Sequence, residues 1–400
     1  MGQHLFEPVR IGPLTLKNRT IRAAAFEGMA PGHQVSDELV AYHQAVAAGG
    51  VGMTTVAYAA VEQSGLAFAH QLWLRPEAVP GLRRLTDAVH HEGAKASIQL
   101  GHCGNMAKPD VAGGRVIAPS ARFNLYGPVW PRAMNDEDLK RVTASFGAAV
   151  RVARDAGFDA VEVHAGHGYL ISQFLSPYTN RRADAYGGPL ANRMRFMREV
   201  MAEVKRAAGQ DLAVVVKTNL RDGFKGGIEL EEAVEVARAL EQEGADALVL
   251  TGGFVSRAPM YVMRGPMPMK EMAKRMPQWW MRALLGLFGE KLVPPLPYQD
   301  HYFLEDATVV RRELKLPLVY VGGVASRAAA DEVLARGFDA IAIARALIRE
   351  PGFVKRLEQE EREAKGSSGS LCDHCNVCAA RIYTTTMACH HWPAAQGGAA

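Results

Sequence analysis

The chain is expected to fold as an α/β protein of the (β/α)8, or TIM, barrel type. That barrel should carry a long basic, methionine-rich lid insertion and a cysteine-containing C-terminal tail. Three observations lead there. Eight short apolar segments suited to strands recur along the chain, most of them followed by a stretch of helical periodicity. Several are entered through a glycine suited to end a helix, at Gly157, Gly244 and Gly337. Regular strand–helix alternation implies a parallel sheet, and eight units suit a closed barrel. A doubly wound open sheet is the alternative, but no G-x-G-x-x-G follows the first strand.

The expected strands cover residues 20–26, 51–61, 94–100, 158–164, 212–219, 245–251, 316–322 and 338–344. Helical periodicity is clear over 136–156, 190–208, 230–243 and 328–336. The expected organisation is a barrel over 1–365, interrupted by the insertion at 254–304, followed by a linker and Cys-rich tail over 366–400. With 48% hydrophobic and 22% charged residues the chain reads as globular. A net charge of +4 is too slight to argue for nucleic acid. There is no transmembrane segment, since no apolar run is long enough to span a bilayer. The start, MGQHLFEPVR, lacks the apolar core of a signal peptide and, with Phe6, fails the myristoylation pattern. Together these features point to a cytoplasmic protein, with a homo-oligomer left open.

In a barrel, chemistry belongs at the C-terminal strand ends. The fourth strand there delivers His164, His167 and Tyr169 within six positions, ahead of a loop rich in Pro, Asn, Arg and Gly. Buried protic groups need partners, and three converging at one strand end suit a site better than packing. A metal would want a further ligand nearby. Glu162 shares the face of His164 only if the strand continues. A hydrogen-bonding role is favoured: two imidazoles hold an oxygen and the phenol supplies a proton. Elsewhere, Ala23, Ala24 and Ala25 follow the first strand, and their small side chains leave room for a flat ring. Gln99 offers a donor and an acceptor at the end of the third. Lys217 sits inside the apolar run AVVVKTNL, where a cation needs an anion. Gly322 and Gly323 follow the seventh strand, and Ala344 and Arg345 the eighth, the usual place of a barrel's phosphate site.

The run HAGHGYLISQFLSPYTNRRADAYGG resembles the signature of the old yellow enzyme family, the FMN-dependent ene-reductases and NADH:flavin oxidoreductases. The similarity extends from residue 5 to about residue 353. It implies the barrel independently. It also implies bound FMN, reduced by NAD(P)H. Ala23, Ala24, Ala25 and Ala57 would lie beside the flavin ring, and Gln99 would meet its pyrimidine edge. Lys217 would stabilise the reduced flavin, where many members have arginine. Gly322, Gly323, Ala344 and Arg345 would hold the phosphate. His164 and His167 would grip a substrate oxygen, and Tyr169 would be the proton donor.

The insertion gathers Arg257, Arg264, Lys270, Arg275, Arg282 and Lys291 with Met260, Met263, Met267, Met269, Met272 and Met276. It reads as a lid whose apolar face packs on the barrel and, because methionine adapts its shape, suits a bulky apolar enone or enoyl thioester. Residues 366–370, GSSGS, read as a flexible linker. Cys372, Cys375, Cys378 and Cys389 follow, at a spacing able to close around an iron–sulfur cluster or a zinc. The tail resembles that of the dienoyl-CoA reductase branch, with its second and third cysteines one residue closer. His374 and His390 are alternative zinc ligands. The expected function is hydride transfer to the activated C=C of an α,β-unsaturated carbonyl. The alternatives are a flavin-dependent dehydrogenase or demethylase passing electrons through a cluster, and a non-catalytic flavin- or partner-binding protein.

Overall fold

The computed structural model describes residues 4–392 apart from 125, 127, 275–278, 364, 365, 367 and 384. The start at Met1, Arg275 and Met276 of the insertion, and Ser367 of the linker lie outside the described residues.

Eight parallel strands close into a barrel. They are β1 (Thr20–Arg22), β2 (Met53–Ala60), β3 (Lys95–Gly101), β4 (Ala160–Ala165), β5 (Ala213–Asn219), β6 (Ala247–Thr251), β7 (Leu318–Val321) and β8 (Ala340–Ile343). Each pairs with the next in sequence, and β8 closes on β1 through Ala342 opposite Ile21. A barrel helix follows each strand, with further helices in the connections: α1 (Asp37–Ala48), α2 (Val79–His91), α3 (Asp136–Asp155), α4 (Arg195–Ala208), α5 (Leu230–Gln242), α6 (Leu304–Glu313), α7 (Arg327–Ala335) and α8 (Phe353–Arg362). Local sequence explains the helix boundaries. Asn135 and Asp138 form a capping box before α3, and Ser36 and Ser326 cap α1 and α7. Gly157, Gly244 and Gly337 take φ of 82°, 80° and 88° where helices give way to strands.

The strands are buried on both faces, so they read as apolar runs. Alternation sends Val214 and Val216 outward to the helix layer, and Ala213, Val215 and Lys217 inward. A hairpin, Val9–Ile11 with Leu14–Leu16, plugs the N-terminal end, its apolar side chains joining the interior cluster of Ile21, Val215, Val249 and Val319. The opposite end is left for the site. Among the described residues no helix is long and apolar enough to cross a membrane.

The structure departs from or refines the expected elements in several places. β1 stops at Arg22, not at residue 26. The buried Arg22 guanidinium donates to the carbonyls of Thr55 and Ala25 and pairs with Glu27, which turns the chain out of the ladder. The helical run 190–208 breaks at Met194 into Leu190–Arg193 and α4, with Arg193 buried against Glu232 and the carbonyls of Leu175 and Gly188. The linker is anchored: Ser370 N–H donates to Ala325 (2.6 Å), and Arg356 donates to Gly369 (3.2 Å). The tail beyond it belongs to the barrel's own packing. Ala380 and Met387 are buried, and Cys378, Ile382, Cys389 and Trp392 pack on the main core. The insertion divides. Met260, Met267 and Met269 form a buried cluster of their own, whereas the helix Trp279–Leu292 leaves Trp279, Trp280, Leu287 and Phe288 exposed.

Candidate active site

The C-terminal mouth of the barrel holds a cavity of about 260 Å³. Its floor comes from strand ends: Ala23, Ala24, Ala25, Gln99, His164, Lys217, Thr251 and Ala344. Val255, Val262, Met263 and Met267 of the insertion, and Cys378, Ile382 and Tyr383 of the tail, complete it. A smaller cavity of about 50 Å³ between β7 and β8 is lined by Gly322, Gly323, Ala344, Arg345 and His374. Tyr302, Val321, Ala344 and Arg345 line both.

The β4 ladder runs on to Ala165, so Glu162 and His164 face the same side. Register then brings three polar groups together. Gln99 lies opposite Glu162, and His164 opposite Lys217. Lys217 Nζ is 2.9 Å from Glu162 Oε1, with both side chains buried, and Gln99 Nε2 donates to the same carboxylate at 2.5 Å. The anion demanded by Lys217 is therefore supplied within the protein. Glu162 is the one acid on the strand that carries His164, and that is the only clue the sequence offers to this pairing.

His164, His167 and Tyr169 converge. The rings of His164 and Tyr169 have centroids 4.5 Å apart, and those of His164 and His167 5.1 Å. His164 Nδ1 accepts the Gly166 N–H at 3.4 Å, which leaves the proton on Nε2. His167 takes a left-handed φ of 57°, held by its N–H donating to Asn219 Oδ1, and its Nε2 meets Thr251 Oγ1 at 2.9 Å. Burial lowers His167 to about 3, assisted by the Lys217 charge. Burial, with His167 and Lys217 beyond it, pushes His164 well below its ordinary value. Both imidazoles are therefore neutral at neutral pH, each with one N–H to give. Burial raises the Tyr169 phenol above its ordinary value, so it keeps its proton. Tyr58, another residue that sequence reasoning missed, packs on Tyr169 at 4.9 Å and bonds Cys103 Sγ at 3.0 Å. Burial pushes that thiol up to about 12, a structural cysteine in its neutral form.

Ala57 is buried but is not among the residues lining the cavity. The β2 register shifts between Val56 and Ala59, and the Ala57 N–H donates to Glu27. Gly322 and Gly323 take φ of 138° and 74°, and a Cβ would lie 2.8 Å from Phe303 Cδ2 at the first and 2.7 Å from Gln299 O at the second. Among the described residues no acceptor meets the N–H groups of Gly323, Val324 or Ala325, and Arg345 makes no ion pair. Free amides beside an uncompensated guanidinium suit a phosphate. The wider cavity, with small alanines on one side and the Lys217 cation within, suits the ring of a flavin. The residues present therefore fit FMN.

The tail cysteines are free thiols of intermediate exposure. Cys375 Sγ lies 3.4 Å from His390 Nδ1, and Asp373, His390 and His391 bring ligand atoms within 4.8 Å of one another. Burial raises Cys375 to about 11 and Cys378 to about 12, with neighbouring Cys372 adding to both.

A closed parallel barrel whose mouth gathers free amides beside a guanidinium, an alanine-walled cavity and a half-buried phenol is the architecture of a flavin-dependent oxidoreductase. The description of the NADH:flavin oxidoreductase / NADH oxidase family matches residues 4–258, and the chain belongs to that family, the old yellow enzymes. It is an FMN-dependent oxidoreductase that draws on NAD(P)H. It is 42% identical over 383 residues, 96% of this chain and 94% of the relative, to a 4,4'-dithiodibutanoate disulfide reductase of Rhodococcus erythropolis. It is 38% identical over 264 residues, 64% of this chain and 75% of the relative, to an NADPH dehydrogenase of Listeria monocytogenes. Among solved structures, a histamine dehydrogenase from Rhizobium sp. 4-9 superposes with a TM-score of 0.77 at 27% identity over 96% of this chain. A 2-naphthoyl-CoA reductase superposes with a TM-score of 0.80 at 24% identity, also over 96%, a likeness of fold. The chain spans 51% and 56% of those two chains.

Proposed function

We propose that the protein is an ene-reductase, reducing the activated C=C of an α,β-unsaturated carbonyl. The carrying observation is the convergence of two neutral imidazoles and a protonated phenol on one cavity. Gly322, Gly323, Ala344 and Arg345 would hold the FMN phosphate, with Ala23–Ala25, Gln99 and Lys217 beside the ring, and the cofactor would supply hydride taken from NAD(P)H. The Nε2–H of His164 and an N–H of His167 donate to the substrate carbonyl oxygen. As hydride reaches the β-carbon, negative charge gathers on that oxygen, where the two donors stabilise it. Tyr169 gives its proton to the α-carbon, which completes the saturated product. Neutral imidazoles suit this task because they donate hydrogen bonds without a competing pairing to Glu162. Met263 and Met267 in the cavity wall support a bulky apolar substrate.

A second reading has a specific support in the 42% identical relative named as a disulfide reductase. In that reaction hydride would add to one sulfur of the disulfide as the S–S bond breaks, and Tyr169 would protonate the other sulfur, giving two thiols. Oxidation of the reduced enzyme separates the two. Protein reduced anaerobically with NAD(P)H is mixed with 2-cyclohexenone or with 4,4'-dithiodibutanoate, and return of the flavin absorbance is followed. Fast return with the enone and slow return with the disulfide supports the ene-reductase. The reverse order overturns it in favour of disulfide reduction.

Cys372, Cys375, Cys378 and Cys389 are candidate ligands of a metal centre in the tail, with plain structural thiols as the alternative. Four thiols on one folded segment suit an iron–sulfur cluster, which supplies one-electron transfer; Asp373, His390 and His391 beside Cys375 suit zinc. Since Cys378 lines the flavin cavity, a cluster there favours an outlet for electrons, as in the dehydrogenase alternative. Broad brown absorption under the flavin bands of anaerobically purified protein, with iron by elemental analysis, identifies the cluster. Flavin bands alone, with zinc, identify the other centre.

A further inference from the structure

The pocket between β7 and β8 has walls that the barrel does not supply. His374, from the loop between Cys372 and Cys375, and Tyr298, from the insertion, both line it. Their rings stack with centroids 3.5 Å apart and planes 16° from parallel. The Arg345 guanidinium lies over the same Tyr298 ring, 5.5 Å from its centroid.

Two residues on, Asn376 is 1% exposed and adopts a left-handed φ of 60°. Its amide is fully used. Oδ1 accepts from Arg345 Nη1 at 2.9 Å, and Nδ2 donates to the carbonyls of Arg264 and Pro266, each at 2.9 Å. Arg345 Nη1 also donates to the Arg264 carbonyl at 3.1 Å. This position needs one side chain that accepts from a guanidinium and donates to two carbonyls. An amide does both; a carboxylate cannot donate and an alkyl group can do neither. The backbones are equally close: a Cβ on Gly265 would lie 2.7 Å from the His374 carbonyl. Thus β8, the insertion and the cysteine loop meet at one guanidinium.

We propose that the cysteine loop is part of the flavin's phosphate site. Asn376 aims the Arg345 guanidinium at the phosphate, and His374, stacked on Tyr298, roofs the pocket. Affinity for the phosphate end of the cofactor then depends on the tail. The inference rests on the reading of this pocket as the FMN site. Asn376 is a positioning residue, because it acts through Arg345. A guanidinium held by neutral acceptors keeps its full charge for the phosphate, and holding it in advance reduces the entropy lost on binding.

Riboflavin shares the ring and ribityl chain of FMN but lacks the phosphate, so the pair isolates this end of the site. The full-length chain, stripped of flavin, is titrated with each by the quenching of flavin fluorescence, for the wild type, Asn376→Leu and His374→Ala. Asn376→Leu is expected to weaken FMN binding by roughly tenfold or more, the scale of lost hydrogen bonds to a charged group. Its riboflavin affinity should stay unchanged. His374→Ala shifts FMN in the same direction by less, and because it removes only a half-buried ring it carries the test if Asn376→Leu does not fold. The proposal is overturned if both variants bind FMN as the wild type does, or if FMN and riboflavin weaken by the same factor. A wild type that binds neither flavin overturns the reading of the pocket itself.

Discussion

The floor and the roof of the cavity are built differently. The floor is made of strand ends. His164, Lys217, Glu162 and Gln99 are held by parallel ladders, almost wholly buried, and each has a partner fixed by register. The roof is made of the insertion and the tail. Its buried part is a methionine cluster and a few stacked rings, and its longest helix leaves Trp279, Trp280, Leu287 and Phe288 exposed. The contrast separates two tasks. Chemistry needs protons and charges held in place, which ladders provide. Shaping the entrance needs adaptable apolar surface, which methionines and irregular segments provide.

Four measurements press on this contrast. The largest effect belongs to the proposed proton donor. Tyr169→Phe should slow enone reduction by roughly 10²–10⁴-fold, the range of general acid catalysis, while bleaching of the flavin by NAD(P)H stays near the wild-type rate. Equal loss in both half-reactions would remove the role given to Tyr169. Next comes the ion pair beneath the cavity. Lys217→Met leaves the Glu162 carboxylate buried and unpaired, an expected loss of about 3–5 kcal/mol by urea denaturation. Adding Glu162→Gln should restore much of it; a double variant no more stable than the single one would argue against a coupled pair.

The third effect is graded by pH. His167 is held at about 3 and His164 well below its ordinary value, whereas both protonate near 6.5, roughly the ordinary value, when unfolded. Between those values the unfolded chain binds more protons than the folded one. This contribution is therefore fully retained above the unfolded value and is lost as pH falls toward about 3, by ~1.4 kcal/mol per pH unit for each group. His167→Asn should flatten the acid side of the stability profile, and an unchanged slope would mean that His167 is already protonated in the fold. The smallest effect lies on the roof. Trp279→Ser, at a side chain 78% exposed, should change unfolding stability by no more than about 0.5 kcal/mol. A larger loss would show that this helix is covered in solution.

Some of this was legible because it is local. His164, His167 and Tyr169 lie within six residues, so the strand that carries the first delivers all three. The same holds for Gly322 with Gly323, and for Ala344 with Arg345, each pair sitting at one strand end. Other features depend on which strand lies beside which. Lys217 signalled an unmet charge, but that Glu162 meets it follows from a register across β4 and β5. Ala57, expected beside the flavin ring, sits at a register shift inside β2 with its N–H on Glu27, and neither feature gives a compositional sign. The packing of the tail is likewise non-local: Ser370 N–H donates to Ala325, and Ala380 and Met387 are buried.

The sequence by itself determined the barrel, the family and the clustering of His164, His167 and Tyr169, since periodicity, punctuating glycines and contiguous motifs are written along the chain. Only the tertiary structure decided the Glu162–Lys217 pair, the contact of Tyr58 with Tyr169, and the junction of Arg345 with Asn376. These join residues 31 to 111 positions apart, and their hydrogen-bonding needs are met only when barrel closure brings distant segments to one end of the molecule.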